Sequence, residues 1–189
     1  MNNETLQLWA DSFVQCLAGL PLTLGLTFVS LLIGGLMALP LSVMHSRKTT
    51  WSAKWVRMFA FFFTGTPLLV QLYIFYDGVG SMDWVQTLME VPGFGFLREG
   101  YFWVLLGLVF NTAAYTTIIL SGAIRNTENG EVEAGRAYGL NASQVMRHII
   151  LPSSLRRALP AYSNEVILMV QATALASSFT LYEITGQAH

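Results

Sequence analysis

Residues 20–44 read LPLTLGLTFVSLLIGGLMALPLSVM, a run without one charged side chain. About 20 helical residues cross the hydrocarbon core of a bilayer, so this run is long enough to span one. It is the most apolar part of a charge-free stretch over residues 12–44. Three similar stretches follow at residues 58–76, 101–124 and 158–182, the last interrupted only by Glu165. Buried helices of soluble proteins rarely run past about 14 apolar residues in a row. Four long stretches therefore predict an all-α polytopic membrane protein with four membrane helices.

Composition agrees. The chain is 53% hydrophobic and 11% charged, with a mean hydropathy of +0.51, where a soluble domain carries about 25% charged residues. The net charge of −1 is uninformative, but the placement of charge is not. Arg47, Lys48, Lys54 and Arg57 follow the first stretch, and Arg125, Arg136, Arg147, Arg156 and Arg157 follow the third. Arg98 is the one remaining basic residue, in a loop with Asp77, Asp83, Glu90 and Glu99. Cytoplasmic loops of membrane proteins carry the excess of Lys and Arg. The two basic loops are therefore predicted inside, and the N-terminus and residues 77–100 outside. Glu4 and Asp11 precede any basic residue. A signal peptide starts basic, so the first stretch is expected to be retained. Leu6, Leu8, Trp9, Phe13 and Leu17 form either an amphipathic interfacial helix or an extended leader.

Several chemistries are excluded. Cys16 is the one cysteine, which rules out an intrachain disulfide and a Cys-based metal site. His45, His148 and His189 lack metal-ligand spacing, so no metal is expected. No G-x-x-x-x-G-K-[ST] loop is present, so ATP hydrolysis, if it drives the protein, belongs to another chain. The histidines and aspartates fall in loops on opposite sides, which excludes a hydrolytic triad. The chain is not expected to be an enzyme.

Within the membrane stretches a few residues stand out. Ser30, Gly34 and Ala38 are spaced four apart, a pattern that lets helices approach closely in lipid, and Pro40 lies near the same helix's cytoplasmic end. Gly65-Thr66-Pro67 interrupts the second stretch; Pro67 lacks an N–H, which predicts a kink, with Thr64 or Thr66 as partner for the freed carbonyl. Glu165 is a carboxylate in a membrane stretch, which costs about 2.5–3.5 kcal/mol on insertion scales. It is either a binding group for a cationic or amino-bearing substrate or a boundary carboxylate wetted by headgroups. Helical geometry places Asn164 and Gln171 on one face and Glu165 on the adjoining one, so the three could line one cavity. The third stretch carries Gly107, Asn111, Tyr115, Ile118 and Gly122 as a stripe. Asn111 is a buried amide that must find partners, across helices or along a substrate path. Residues 125–160 are too polar for the membrane, with helical patches broken at Gly139 and Pro152 and a stop and restart around Asn141-Ala142-Ser143. Long loops in compact proteins usually carry function.

This loop supplies a resemblance. Glu133-Ala134-Gly135, three residues, Gly139, nine residues, then Ile149-Ile150-Leu151-Pro152 resembles the Glu-Ala-Ala loop of ATP-binding-cassette importer permeases, departing at Gly135. Residues 63–72, FTGTPLLVQL, resemble the Arg-Gly-Thr-Pro-Leu-Leu-Val-Gln segment of polar amino-acid permeases, with Thr64 for the arginine. Residues 159–165, LPAYSNE, followed by Gln171-Ala172-Thr173-Ala174-Leu175, resemble a further segment of that family, with Gln171 and Ala174 for its lysine and serine. The resemblance is greatest to the M-type membrane subunit of bacterial arginine importers.

The resemblance implies a type I importer permease core: a single transmembrane domain over residues 1–189, in the bacterial inner membrane, with a cytoplasmic coupling loop at about residues 125–157. It implies that Glu133, Ala134, Gly135, Gly139, Ile149, Leu151 and Pro152 couple to the ATPase, and that Asn164, Glu165, Asn111, Tyr115 and Gln71 bind substrate. Two ATPase subunits, which would hold ATP and Mg²⁺, a second permease subunit, an extracytoplasmic amino-acid-binding protein and membrane lipid are the implied partners; this chain is expected to hold no cofactor and no nucleic acid. The family's fifth helix is missing after Gln187, which suggests a truncated or incomplete subunit. An ion-coupled secondary carrier would need intramembrane ionisable groups and inverted repeats, of which one group and no repeat is found. A membrane scaffold without transport is the other alternative.

Overall fold

A computed structural model describes the backbone of residues 3–47 and 50–186, and the side chains of residues 20–47 and 50–173. The described chain is helical throughout its regular structure. Helix α1 (Asn3–Ser46) is followed by α2 (Trp51–Gly65), α3 (Leu68–Tyr73) and a π-helical turn, Ile74–Val79. A short α4 (Asp83–Met89) and a 3₁₀ turn, Gly95–Arg98, lead into α5 (Gly100–Arg125). Helices α6 (Asn129–Ala137) and α7 (Ala142–Val145) and a second π-helical turn, Met146–Ile150, precede α8 (Leu151–Gly186).

Two spans, Leu20–Ser46 and Gly100–Arg125, are each long and apolar enough to cross a membrane, and Trp51–Gly65 with Leu68–Val79 qualifies as a bent pair. The fourth expected stretch lies in α8, whose side chains beyond residue 173 are outside the described residues, as are Cys16, Lys48 and His189. Backbone helix from Asn3 onward runs through the leader, so the extended alternative is not what forms there. Whether its side chains make an amphipathic face lies outside the described residues.

Helix α5 is the centre. Trp103, Val104, Leu108, Val109, Ala113, Ala114 and Leu120 are buried along it, and α1, α2, α3 and α8 all pack on it. The small-residue stripe of α1 does what its spacing predicts. Ser30 and Ala38 are fully buried. A Cβ at Gly34 would come within 2.8 Å of the Thr112 side chain and 2.9 Å of the Val109 carbonyl oxygen, so only glycine allows this crossing. At the C-terminal ends of both helices Arg125 Nη2 lies 2.9 Å from His45 Nδ1 and donates to the His45 carbonyl at 3.2 Å, tying α1 to α5.

The second stretch differs from expectation. It is not one kinked helix but two pieces, α2 and α3, bent by 110°. Thr66 and Pro67 are extended, with ψ of 144° and 136°. The residue before a proline is pushed out of the helical region, and Pro67 cannot donate back into α2. The freed carbonyls would be costly in hydrocarbon. Their partner is not Thr64 or Thr66, whose hydroxyls bond back within α2. It is Gln71. The amide Nε2 of this buried side chain donates to the carbonyls of Phe63 at 2.8 Å and Thr66 at 2.9 Å. Phe63, Phe75 and Phe110 stack around the break at 5.6–6.3 Å between ring centroids.

Pro152 also departs from expectation, because it does not break the chain: helical backbone continues from α7 through the π turn into α8, and the widened turn just before Pro152 accommodates its missing N–H.

Replacing Gln71 by leucine keeps the volume but leaves the Phe63 and Thr66 carbonyls without this donor, a loss of about 1–3 kcal/mol. The Q71L protein is expected to unfold at lower temperature in detergent, and an unchanged Tm would show that the break is held by other means.

Candidate functional site

The break in the second stretch opens a space beside it. Thr66, Pro67 and Leu68 face Asn111 and Tyr115 of α5 and Glu165, Leu168, Met169 and Ala172 of α8 across a cavity of about 220 Å³. Asn111 lies near the middle of α5, so the cavity is well inside the membrane span. Discontinuous helices that place irregular backbone at this depth do so where it lines a cavity.

The polar geometry of the cavity follows from Gln71. Its Nε2 faces three oxygens, the Phe63 and Thr66 carbonyls and Thr66 Oγ1. Carbonyls only accept, so the other end of the amide, Oε1, must be the acceptor for Asn111. Asn111 Nδ2 accordingly donates to Gln71 Oε1 at 3.1 Å and to the Phe63 carbonyl at 3.4 Å. That leaves Asn111 Oδ1 without a donor among the described residues. Tyr115 donates its hydroxyl to the Thr64 carbonyl at 3.4 Å, which leaves its oxygen lone pairs. Glu165 is 6% exposed, and neither hydrogen bond nor ion pair holds it among the described residues. The remaining walls are apolar. The free polar groups of the cavity are thus oxygens that accept, one of them a carboxylate.

The expected site residues divide. Asn111, Tyr115 and Glu165 come together. Gln71 is buried behind them, outside the lining, with its amide spent on backbone and on Asn111. Asn164 and Gln171 are exposed and do not line the cavity. They lie roughly 100–120° around α8 from Glu165, and the cavity takes the i, i+3, i+4, i+7 face that begins at Glu165. Leu168, Met169 and Ala172 on that face were legible from spacing once Glu165 was taken as its centre. Thr66, Pro67 and Leu68 were not, because a kink does not announce that the helix parts. Among the described residues, no group of three His, Cys, Asp or Glu side chains is placed to hold a metal.

The segment between α5 and α8 is a second built unit. Helix α6 ends at Ala137, and Gly139 takes a φ of +80°. The Gly139 N–H donates to the Arg136 carbonyl at 2.9 Å and the Leu140 N–H to the Gly135 carbonyl at 3.2 Å. This bond pair is a Schellman cap, whose turn residue is most often glycine. Asn141 restarts the chain as the cap of α7: Gln144 N–H donates to Asn141 Oδ1 and Asn141 N–H to Gln144 Oε1, both at 2.9 Å. Gly135 is buried, and a Cβ there would collide with Ile149 Cδ1. The glycine that departs from the Glu-Ala-Ala pattern thus seats the isoleucine of the same motif. Glu133, Ala134, Arg136 and Tyr138 are exposed, while Leu151 is half-buried and Pro152 exposed.

This segment is fastened to the base of α8. Arg157 lies 3.8 Å from Glu131 and donates to Thr127 at 2.8 Å, and Ser153 donates to Glu131 at 3.3 Å.

Residues 30–188 match the family described as binding-protein-dependent transport system inner membrane component, and the chain belongs to that family. Its all-helical architecture is that of an importer permease. The octopine transport system permease protein OccM of Rhizobium meliloti is 42% identical over 97% of this chain and 73% of its own length. The nopaline transport system permease protein NocM of Agrobacterium fabrum is 40% identical over 97% of this chain and 75% of its own. The histidine/lysine/arginine/ornithine transport system permease protein HisM of Escherichia coli K12 is 43% identical over 94% of this chain and 73% of its own. A solved structure described as an amino acid ABC transporter with histidines superposes with a TM-score of 0.73 at 28% identity, over 95% of this chain and 77% of that one. These relatives are transport components rather than enzymes.

A Gly139→Ala substitution forces a left-handed turn on a residue with a Cβ, at a cost of about 1–2 kcal/mol. The cap is expected to loosen, with faster amide hydrogen exchange over residues 135–145 and unchanged exchange in α5; equal exchange in both would show that the turn carries no strain.

Proposed function

We propose that the chain is a permease subunit of an ATP-driven importer of a polar, basic amino acid such as arginine. One observation carries the substrate class. The groups free in the cavity, Asn111 Oδ1, the Tyr115 oxygen and the Glu165 carboxylate, are acceptors, and a donor-rich cation is their complement. A guanidinium presents five N–H donors and pairs with a carboxylate in a planar, bidentate fashion. A cation in the cavity would also relieve the cost of holding Glu165 in the membrane. HisM, one of the relatives, is named for histidine, lysine, arginine and ornithine, which share a basic nitrogen.

The driving force belongs to partners. Two ATPase subunits holding ATP and Mg²⁺, a second permease subunit and an extracytoplasmic binding protein complete the complex, set in the bacterial inner membrane with the N-terminus outside. Residues 133–152 dock on the ATPase. Closure of the ATPase pair moves this segment, and the Arg157–Glu131 and Ser153–Glu131 contacts pass the motion to α8, which carries Glu165. The cavity opens outward to accept the amino acid and inward after hydrolysis. Residues 1–189 act as one transmembrane domain, with the coupling loop at about residues 125–157.

The test is uptake of radiolabelled arginine, histidine and glutamine by the assembled complex carrying Glu165→Gln. Removing a charge-assisted bond worth about 1.5–3 kcal/mol is expected to raise the KM for arginine by roughly 10- to 150-fold. Unchanged arginine uptake would overturn the assignment of Glu165. The Gly139→Asp protein is expected to insert and assemble normally yet lose uptake and transport-coupled ATP hydrolysis, and retained uptake would overturn the coupling role.

A further inference from the structure

A larger groove lies nearer the start of α8, on an adjoining face. It measures about 580 Å³ and runs between α1, α5 and α8, walled by Leu31, Leu36, Leu39, Ile119, Leu120 and Leu159 among others. Its residues in α5 belong to the half nearest Arg125 and those of α8 lie near its start, while those of α1 straddle the middle of the Leu20–Ser46 span. With the orientation proposed above, on which this inference rests, the groove runs from the cytoplasmic side of the membrane to about its middle. It opens to the side where Phe28, Leu32, Leu36, Leu155 and Leu159 are exposed, a face suited to lipid.

At its cytoplasmic end stands Arg156. The next residue, Arg157, is engaged by Glu131, Thr127 and the Ala123 carbonyl. Arg156 is exposed and has neither hydrogen bond nor ion pair among the described residues. An apolar groove ending in one uncompensated cation at headgroup depth matches the charge and shape of a single lipid, and basic pockets between helices on the cytoplasmic side take anionic headgroups. The volume falls within the roughly 300–1,000 Å³ of ligand sites.

We infer that this groove is a binding site for one anionic phospholipid of the cytoplasmic leaflet, with an acyl chain between α1, α5 and α8 and its phosphate on Arg156. The lipid would fill the space beside the coupling base of α8 without entering the substrate cavity.

Native mass spectrometry of the whole complex, purified in mild detergent from membranes of phosphatidylglycerol and phosphatidylethanolamine, tests this. Retained phosphatidylglycerol is expected to exceed phosphatidylethanolamine. Arg156→Gln is expected to lower its retention about fivefold, the worth of one surface arginine against an anionic leaflet. Gly35→Leu fills the groove where a Cβ would stand 3.5 Å from the Tyr162 hydroxyl, and is expected to displace both lipids. Subunit stoichiometry in the same spectra reports whether each variant assembles. Equal retention of the two lipids, or retention unchanged in both variants, would overturn the site. So would a disulfide trapped between Leu36→Cys and a cysteine on another subunit, which would make the groove a protein interface. The readout is bound lipid rather than uptake, so failure here leaves the transport reading standing, and failure of arginine uptake leaves this one standing.

Discussion

Inside a bilayer every backbone carbonyl needs a donor, and the structure is organised around the one place where the helix ladder cannot supply it. Pro67 ends α2, and the Phe63 and Thr66 carbonyls are left facing hydrocarbon. Gln71 reaches back from the following turn to bond both. That choice orients its amide, the amide orients Asn111, and Asn111 is left with an acceptor at the cavity. A backbone satisfaction problem thereby sets the polarity of the cavity. The same break turns Thr66 and Pro67 toward Glu165, so one proline creates both the wall of the cavity and its electrostatic character.

The segment between α5 and α8 is fixed by local chemistry. A Schellman cap at Gly139 and a capping box at Asn141 fix a tight reversal in under ten residues. Gly135 against Ile149 locks the two sides of the reversal together. Arg157, Thr127, Ser153 and Glu131 join it to α8. The helix from Leu151 to Glu165 is about 21 Å long at 1.5 Å per residue, with Pro160 inside it removing one bond of the ladder. Neither ion pair nor hydroxyl is individually strong at such exposed positions; together they hold the segment to the base of α8.

Much of this was legible in the residues. Charge-free length gave the helices, because hydrocarbon excludes charge. Ser30, Gly34 and Ala38 announced a close crossing because only small side chains allow one. Gly139 and Asn141 announced a stop and a restart because their turn chemistry is local. Glu165 was conspicuous through its cost.

The sequence by itself determined the periodic and local features: which stretches enter the membrane, where α6 stops and α7 starts, and which carboxylate is out of place. Tertiary structure decided what depends on distant partners. Whether Pro67 kinks or parts a helix turns on a donor at Gln71 and on the Phe63–Phe75–Phe110 stack. Whether Asn164 or Leu168 joins Glu165 turns on how α8 is rotated against α5, and a helical wheel has no zero until a neighbour fixes it. The freedom of Arg156 beside an engaged Arg157 turns on where Glu131 and Thr127 fall. Spacing along the chain sets which residues share a face, but only packing sets what that face meets.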